Sequence, residues 1–298
     1  MEDLIKKEIS KHYNLEVVSI ELIRDFIGTL YHVKTHDKDY AFKLYQEDTN
    51  IDVISIVKIL DYLQDFDIHI PKIYNTINKE LLIDIKGRCG YLMKYIKGYE
   101  VDKDRDKDLI LNTYRNISSA MKDYQGKIPH LGYGFYVERY LRYLKSIQYD
   151  QERIKELEHI GQSLFNQVSQ LEKGFMHGDF HTGNMILSEE KQLYILDFDA
   201  CSGLSSYIDL VIIFDQTNFN YYKEEDVYKT KKLLNRIKDL QVVALKCLMA
   251  YIPLRHYEII ATINQARRPN EINHDFYDEQ YYWIKAFYKT WQDIFEIK

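Results

Sequence analysis

Five polar residues in two short clusters carry the chemistry this sequence is able to do. His177, Asp179 and Asn184 stand in Phe175-Met-His-Gly-Asp-Phe-His-Thr-Gly-Asn-Met-Ile-Leu187, and Asp197 and Asp199 follow in Leu193-Tyr-Ile-Leu-Asp-Phe-Asp199. Between the clusters, two apolar runs flank the polar Ser188-Glu-Glu-Lys191. That pattern predicts strand, turn, strand. A tight hairpin brings both clusters to the same end of a small sheet. Carboxylates and an amide with no matching Cys ligands suit a hard, oxygen-seeking ion such as Mg²⁺. One carboxylate is left over to orient a nucleophile.

The spacing His177-x-Asp179-x-x-x-x-Asn184 is that of a kinase catalytic loop, and Asp197-Phe198-Asp199 stands where protein kinases carry Asp-Phe-Gly. With His-Gly-Asp-x-His-x-Gly-Asn, an apolar strand and then Asp-Phe-Asp, the chain resembles the aminoglycoside phosphotransferase and choline kinase family. The resemblance implies an α+β, bilobal, protein-kinase-like fold. A small N-terminal lobe of antiparallel sheet plus helix would occupy residues 1–93 and a larger, mostly helical lobe residues 94–298, with a hinge at 94–98. It also implies an enzyme that moves the γ-phosphate of ATP, with Mg²⁺, onto a hydroxyl of a small molecule. An aminoglycoside, a choline-like amine, homoserine, a sugar and a cell-envelope precursor all remain open as acceptors.

Residue by residue, the resemblance makes Asp179 the expected catalytic group and Asn184 and Asp197 the expected metal ligands. His177 fastens the loop, Asp199 sits near a second metal position or the phosphates, and Asp209 braces the catalytic loop from a helix start. His181 is read either as lining the acceptor site or as packing the loop. Lys43, in Ala41-Phe-Lys-Leu44, matches the strand lysine that holds the α- and β-phosphates. The family also places a glutamate in the next helix to fix that lysine. None occurs between Asp52 and Leu63, so Asp52, or Glu47 before it, is the expected substitute.

The elements that must position these groups are legible as patterns. Residues 2–13 predict a short amphipathic helix, and Leu15–Leu22, Thr29–Thr35 and Tyr40–Tyr45 a meander of strands. The first turn, Arg24–Thr29, holds a single glycine and is no phosphate-cradling fingerprint on its own. A helix over 51–65, strands at Ile68–Tyr74 and Leu81–Ile85, and an extended stretch at Tyr91–Gly98 follow. In that last stretch Met93, Lys94, Tyr95 and Ile96 are the expected positions for backbone contacts to an adenine edge. Helices are expected at 108–124, 135–149, 151–172, 222–265 and 276–296, with Arg267-Arg-Pro-Asn270 as a break.

A hydrophobic content of 46%, a net charge of −6 and only three cysteines describe an ordered globular chain without a disulfide framework. That charge gives no reason to expect nucleic acid or an anionic membrane as partner. The charged start, Met-Glu-Asp-Leu-Ile-Lys-Lys-Glu, lacks the apolar core of a signal peptide, and a cytoplasmic location is expected. Two other classes stay open: a nucleotide-binding pseudokinase, suggested by the missing glutamate, and a metallohydrolase using His177, Asp179 and His181. A protein kinase is disfavoured because Asp-Phe-Asp replaces Asp-Phe-Gly and no Ala-Pro-Glu follows.

Overall fold

The structure, a computed structural model, describes residues 1–25, 28–47, 51–241, 243–266 and 274–297. The chain folds as two compact units, one of residues 1–129 with 181–201 and the other of 130–180 with 202–298.

The first unit is built on an antiparallel sheet. Helix α1 (Glu2–Tyr13) precedes β1 (Val17–Asp25), β2 (Gly28–Thr35) and β3 (Asp39–Tyr45), and α2 (Val53–Leu63) leads to β4 (Ile73–Tyr74), β5 (Ile83–Ile85) and β6 (Arg88–Lys94). The strand order is β1-β2-β3-β6-β4, with β5 paired to β6. Alternation turns Val33, Phe42, Leu44 and Leu92 to one face, where Ile5, Ile9 and Tyr13 of α1 cover them. Each aliphatic side chain buried there contributes about 2 kcal/mol. Lys43, between Phe42 and Leu44, is thereby aimed to the opposite face.

The β5–β6 turn is Lys86-Gly87, with φ of 55° and 80°. Two successive positive φ values make the tight hairpin turn that favours glycine at its second position. The strand expected over Ile68–Tyr74 shortens to Ile73–Tyr74. Pro71 has no N–H to give a ladder, although Ile68 and Ile70 remain buried. The first strand turn contains Phe26 and Ile27, which lie outside the described residues. Completing this unit are β7 (Tyr99–Glu100), α3 (Lys107–Met121), β8 (Met185–Leu187) and β9 (Leu193–Ile195). The second sheet runs β7-β8-β9.

The second unit is helical. A π-helical turn at Gly134–Glu138 runs into α4 (Arg139–Ser146), followed by α5 (Gln151–Val168), α6 (Tyr207–Phe214), α7 (Glu224–Leu234), α8 (Leu245–Ala266) and α9 (His274–Phe295). The single helical stretch expected over 222–265 is broken. A 3₁₀ turn at Lys238–Leu240 separates α7 from α8, and Leu234, Ile237 and Leu240, three residues apart, are all buried there. Such 3₁₀ turns serve as short connectors at α-helix ends. The expected break at Arg267–Asn270 lies outside the described residues.

Tyr251, Tyr257, Tyr277, Phe287 and Trp291 are buried in this unit, and their polar atoms find partners. Tyr257 Oη donates to the Leu157 carbonyl at 2.7 Å, and Trp291 Nε1 donates to that of Lys246 at 2.9 Å. His256 belongs to the same core, stacked 3.9 Å from Trp283. Burial takes its pKa down to about 3 against a hydrogen bond with Gln280, so it is a neutral packing residue. No helix among the described residues is long and apolar enough to cross a membrane.

Candidate active site

In the sheet unit the hairpin pairs Met185 with Ile195 and Leu187 with Leu193. Leu196 N donates to Asn184 O at 2.9 Å, so Asn184, just before β8, and Asp197, just after β9, sit at the same end of the hairpin. A 3₁₀ turn at Thr182–Asn184 leads in, and His181 Nδ1 accepts from Gly183 N at 3.0 Å across it. Asp197 adopts φ 62° and ψ 69°, a left-handed conformation that Asp enters more readily than most residues. Each of its carboxylate oxygens holds a cation. Lys43 Nζ lies 2.8 Å from Oδ1, and Arg24 Nη2 lies 2.5 Å from Oδ2.

Lys43 is shared. Its ammonium also lies 2.7 Å from Asp199 Oδ1, which accepts from Tyr45 Oη at 2.6 Å. Burial disfavours charge on Lys43, but Asp197 and Asp199 outweigh it and raise the pKa above the usual lysine value. Burial likewise opposes ionisation of Asp197, yet Lys43 and Arg24 hold its carboxyl well below the ordinary range. Asp199 moves the other way, pushed up by burial and by the neighbouring Asp197 charge against Lys43. An ionised carboxylate and an amide at one hairpin end fit Mg²⁺, which takes one or two protein oxygens and leaves its other positions to water and phosphate.

Asp52 is not where the missing glutamate would put it. It caps α2, accepting from Ser55 N at 3.2 Å and Ser55 Oγ at 2.9 Å, and pairs with Lys127 at 2.6 Å. The reason is local: an Asp immediately before an apolar helix satisfies the free N–H groups of its first turn. Glu47 packs beside Gly87 instead. The carboxylates on Lys43 thus come from Asp-Phe-Asp and not from Asp52. Asp52→Ala is expected to cost about 1 kcal/mol of stability through the lost cap, with turnover unchanged within twofold. A shifted denaturation midpoint beside a normal rate checks it; a tenfold loss of rate would restore Asp52 to the site.

Of the expected adenine-contacting residues, Met93 and Lys94 are still part of β6, and Lys94 N already donates to Lys72 O at 2.8 Å. Tyr95 and Ile96 lie beyond the strand. Tyr95 stacks on His32 at 4.1 Å, and Tyr95 and Ile96 line an open groove of ≈ 530 Å³ with Asp39, Lys97, Glu189 and Tyr194.

The helical unit holds the other half of the motif. The boundary between the units falls inside the loop, between Phe180 and His181. Asp209 stands in the first turn of α6 and accepts from His177 N at 2.8 Å and Gly178 N at 2.9 Å. Gly178 has φ +84°, which lets two consecutive N–H groups turn toward one carboxylate without strain. Burial pushes the Asp209 carboxyl up to about 7, with the two N–H groups pulling the other way. His177 Nδ1 accepts from Asp179 N at 3.2 Å, and its ring packs edge-on against Phe180. No group of three His, Cys, Asp or Glu side chains among the described residues is placed to hold a metal, so His177, Asp179 and His181 do not form the hydrolase triad.

The carboxylate of Asp179 is turned to a residue that the motifs do not mark. Arg255 Nη2 on α8 donates to Asp179 Oδ1 at 2.8 Å. Burial opposes the charge of Arg255, but Asp179 more than compensates and its pKa is raised. One turn on, Glu258 accepts from Thr262 Oγ1 at 2.7 Å and pairs with Arg139 at 3.4 Å. On α7, Glu225 and Asp226 pair with Lys229, and on α9 Asp278 pairs with Arg153.

Residues 19–226, which include Lys43, the whole catalytic stretch and Asp209, match the phosphotransferase enzyme family. The chain belongs to that family. A comparison with curated proteins finds no match. Solved structures similar to this phosphotransferase include amicoumacin kinase in complex with AMP-PNP, Ca²⁺ and Ami, with TM-score 0.72 and 17% identity over 97% of this chain and 93% of that one. A microcompartment-associated aminopropanol kinase gives TM-score 0.71 at 13% identity, covering 98% and 97%. Choline kinase from Streptococcus pneumoniae gives 0.67 at 19% identity, covering 97% and 99%. At these identities the likeness establishes the fold: an antiparallel-sheet unit and a helical unit of the small-molecule-kinase type.

Proposed function

We propose that this phosphotransferase moves the γ-phosphoryl group of ATP, with Mg²⁺ and in the cytoplasm, to a hydroxyl of a small molecule. One observation carries the reading. Lys43 and Asp197, 154 residues apart, meet at 2.8 Å, which sets a cation suited to the α- and β-phosphates beside a carboxylate suited to a metal. The AMP-PNP and Ca²⁺ bound by amicoumacin kinase, and the small-molecule acceptors for which the aminopropanol and choline kinases are named, support it.

In this reading the lobes divide near residue 93, and 94–98 is the hinge whose backbone, from Met93 to Ile96, meets the adenine. Asn184 and Asp197 would hold Mg²⁺, which neutralises charge on the phosphate oxygens when bound. Lys43 supplies a point charge to the α- and β-phosphates, kept in place by Asp199. Asp179 orients the acceptor hydroxyl and takes its proton. His177 and Asp209 fix the loop that presents it. The transition state of phosphoryl transfer is loose, so these groups act mainly by alignment and charge stabilisation. Calorimetric titration is expected to show micromolar ATP binding that Mg²⁺ tightens. No binding at millimolar ATP and Mg²⁺ would overturn the reading, and ATP consumption across a panel of hydroxylated small molecules would identify the acceptor.

A further inference from the structure

We propose that Arg24 is a second phosphate-binding residue, which exchanges Asp197 for the β- and γ-phosphates when the magnesium nucleotide enters; the proposal rests on the ATP reading above. The placement of Arg24 comes from an irregularity in the sheet. Leu22 faces Tyr31, but the next pair is Arg24 with Leu30, so Ile23 is an extra residue in β1. A bulge of this kind re-aims the side chains that follow it. In regular pairing Ile23 would face Leu30, and Arg24 would fall on the other face of the sheet. Leu30 in turn faces Lys43 on β3. Arg24, Leu30 and Lys43 therefore form one row across three strands. Facing residues on neighbouring strands share a face, so the two cations stand on one side, about 10 Å apart at the backbone.

Both cations bear on a single carboxylate, one on each oxygen of Asp197. A metal ligated by Asp197 must take an oxygen from one of them. The side chain of Lys43 is 6% exposed and has Asp199 as a second partner, whereas that of Arg24 is 51% exposed. The Arg24 end of its pair is open to water and screened, while the Lys43 end is not, so Arg24 is the one released. Its guanidinium is a planar fork of donors that matches phosphate oxygens. Two cations two strands apart suit an anion longer than one phosphate. Charge agrees: Lys43 and Arg24 balance Asp197 and Asp199, and a magnesium triphosphate adds net negative charge that the released guanidinium can meet.

The experiment titrates the wild-type protein, Arg24→Ala and Arg24→Lys with ATP and with AMP, each with Mg²⁺. Arg24→Ala is expected to weaken ATP binding at least tenfold while AMP binding stays within twofold, and Arg24→Lys to recover part of the loss. If Arg24→Ala binds ATP as tightly as wild type, or more tightly, Arg24 only guards Asp197 and the proposal fails. Equal weakening for ATP and AMP would also sink it, since a phosphate contact must discriminate between them. A wild-type protein that binds no ATP would overturn the functional reading itself. Matching thermal melts of the three proteins keep a folding defect from imitating the result.

Discussion

Replacing Asp179 by Asn should lower turnover about a thousand-fold, within the range for removing a general base, and leave ATP affinity within about twofold. Asn is the informative substitution because of Arg255. The guanidinium bonds Asp179 Oδ1 at 2.8 Å, and an amide oxygen can still accept that bond, so the loop keeps its shape. Asp179→Ala would strand a partly buried cation and mix a folding defect into the kinetics. What Asn removes, on the proposed mechanism, is the carboxylate that aligns the hydroxyl and takes its proton. That contribution is made mostly in the transition state, so kcat and kcat/KM should fall together. A thousand-fold loss corresponds to about 4 kcal/mol. Steady-state rates with the acceptor found by the screen, beside a calorimetric ATP titration, check it. Turnover within tenfold of wild type would remove Asp179 from the catalytic role.

The pairing with Arg255 also marks the limit of what the sequence discloses. The hairpin, its two polar clusters and the alternation that aims Lys43 away from α1 are local patterns with periods of two residues, and they are legible without any tertiary information. Asp209 was legible only through the family resemblance, because the N–H groups it accepts lie about 30 residues upstream. Arg255 bonds Asp179 across 76 residues and Arg24 bonds Asp197 across 173. No local pattern encodes such a distance. Arg24 further depends on a one-residue bulge, which strand alternation alone does not anticipate. Asp52 failed for a different reason. A helix-capping role and a lysine-pairing role ask for the same residue type at nearly the same place, and the cap needs no distant partner.

Replacing Lys43 by Met should cost turnover about a hundred-fold or more and weaken ATP binding with it, since on the proposed reading the lost charge faces the phosphates in both the ground and transition states. Roughly 3 kcal/mol of stability should go as well, in the range for breaking a buried ion pair. Met matches the length of the lysine stem, so packing changes little. What changes is that Asp197 and Asp199 lose their shared ammonium, at 2.8 Å and 2.7 Å. Arg24 still reaches Asp197, whereas Asp199 keeps, among the described residues, only the Tyr45 hydroxyl. Asp199→Asn separates the two duties. If Asp199 is needed beside Asp197 to hold the lysine in place, this variant should lose about tenfold in kcat, ~1.4 kcal/mol of positioning, with ATP affinity nearly intact. Rates, ATP titrations and melting curves on both variants decide the matter. Lys43→Met within fivefold of wild-type turnover would take the phosphate lysine out of the site. A normal rate in Asp199→Asn would mean that Asp197 alone positions Lys43, and that its carboxylate serves the lysine and the metal at once.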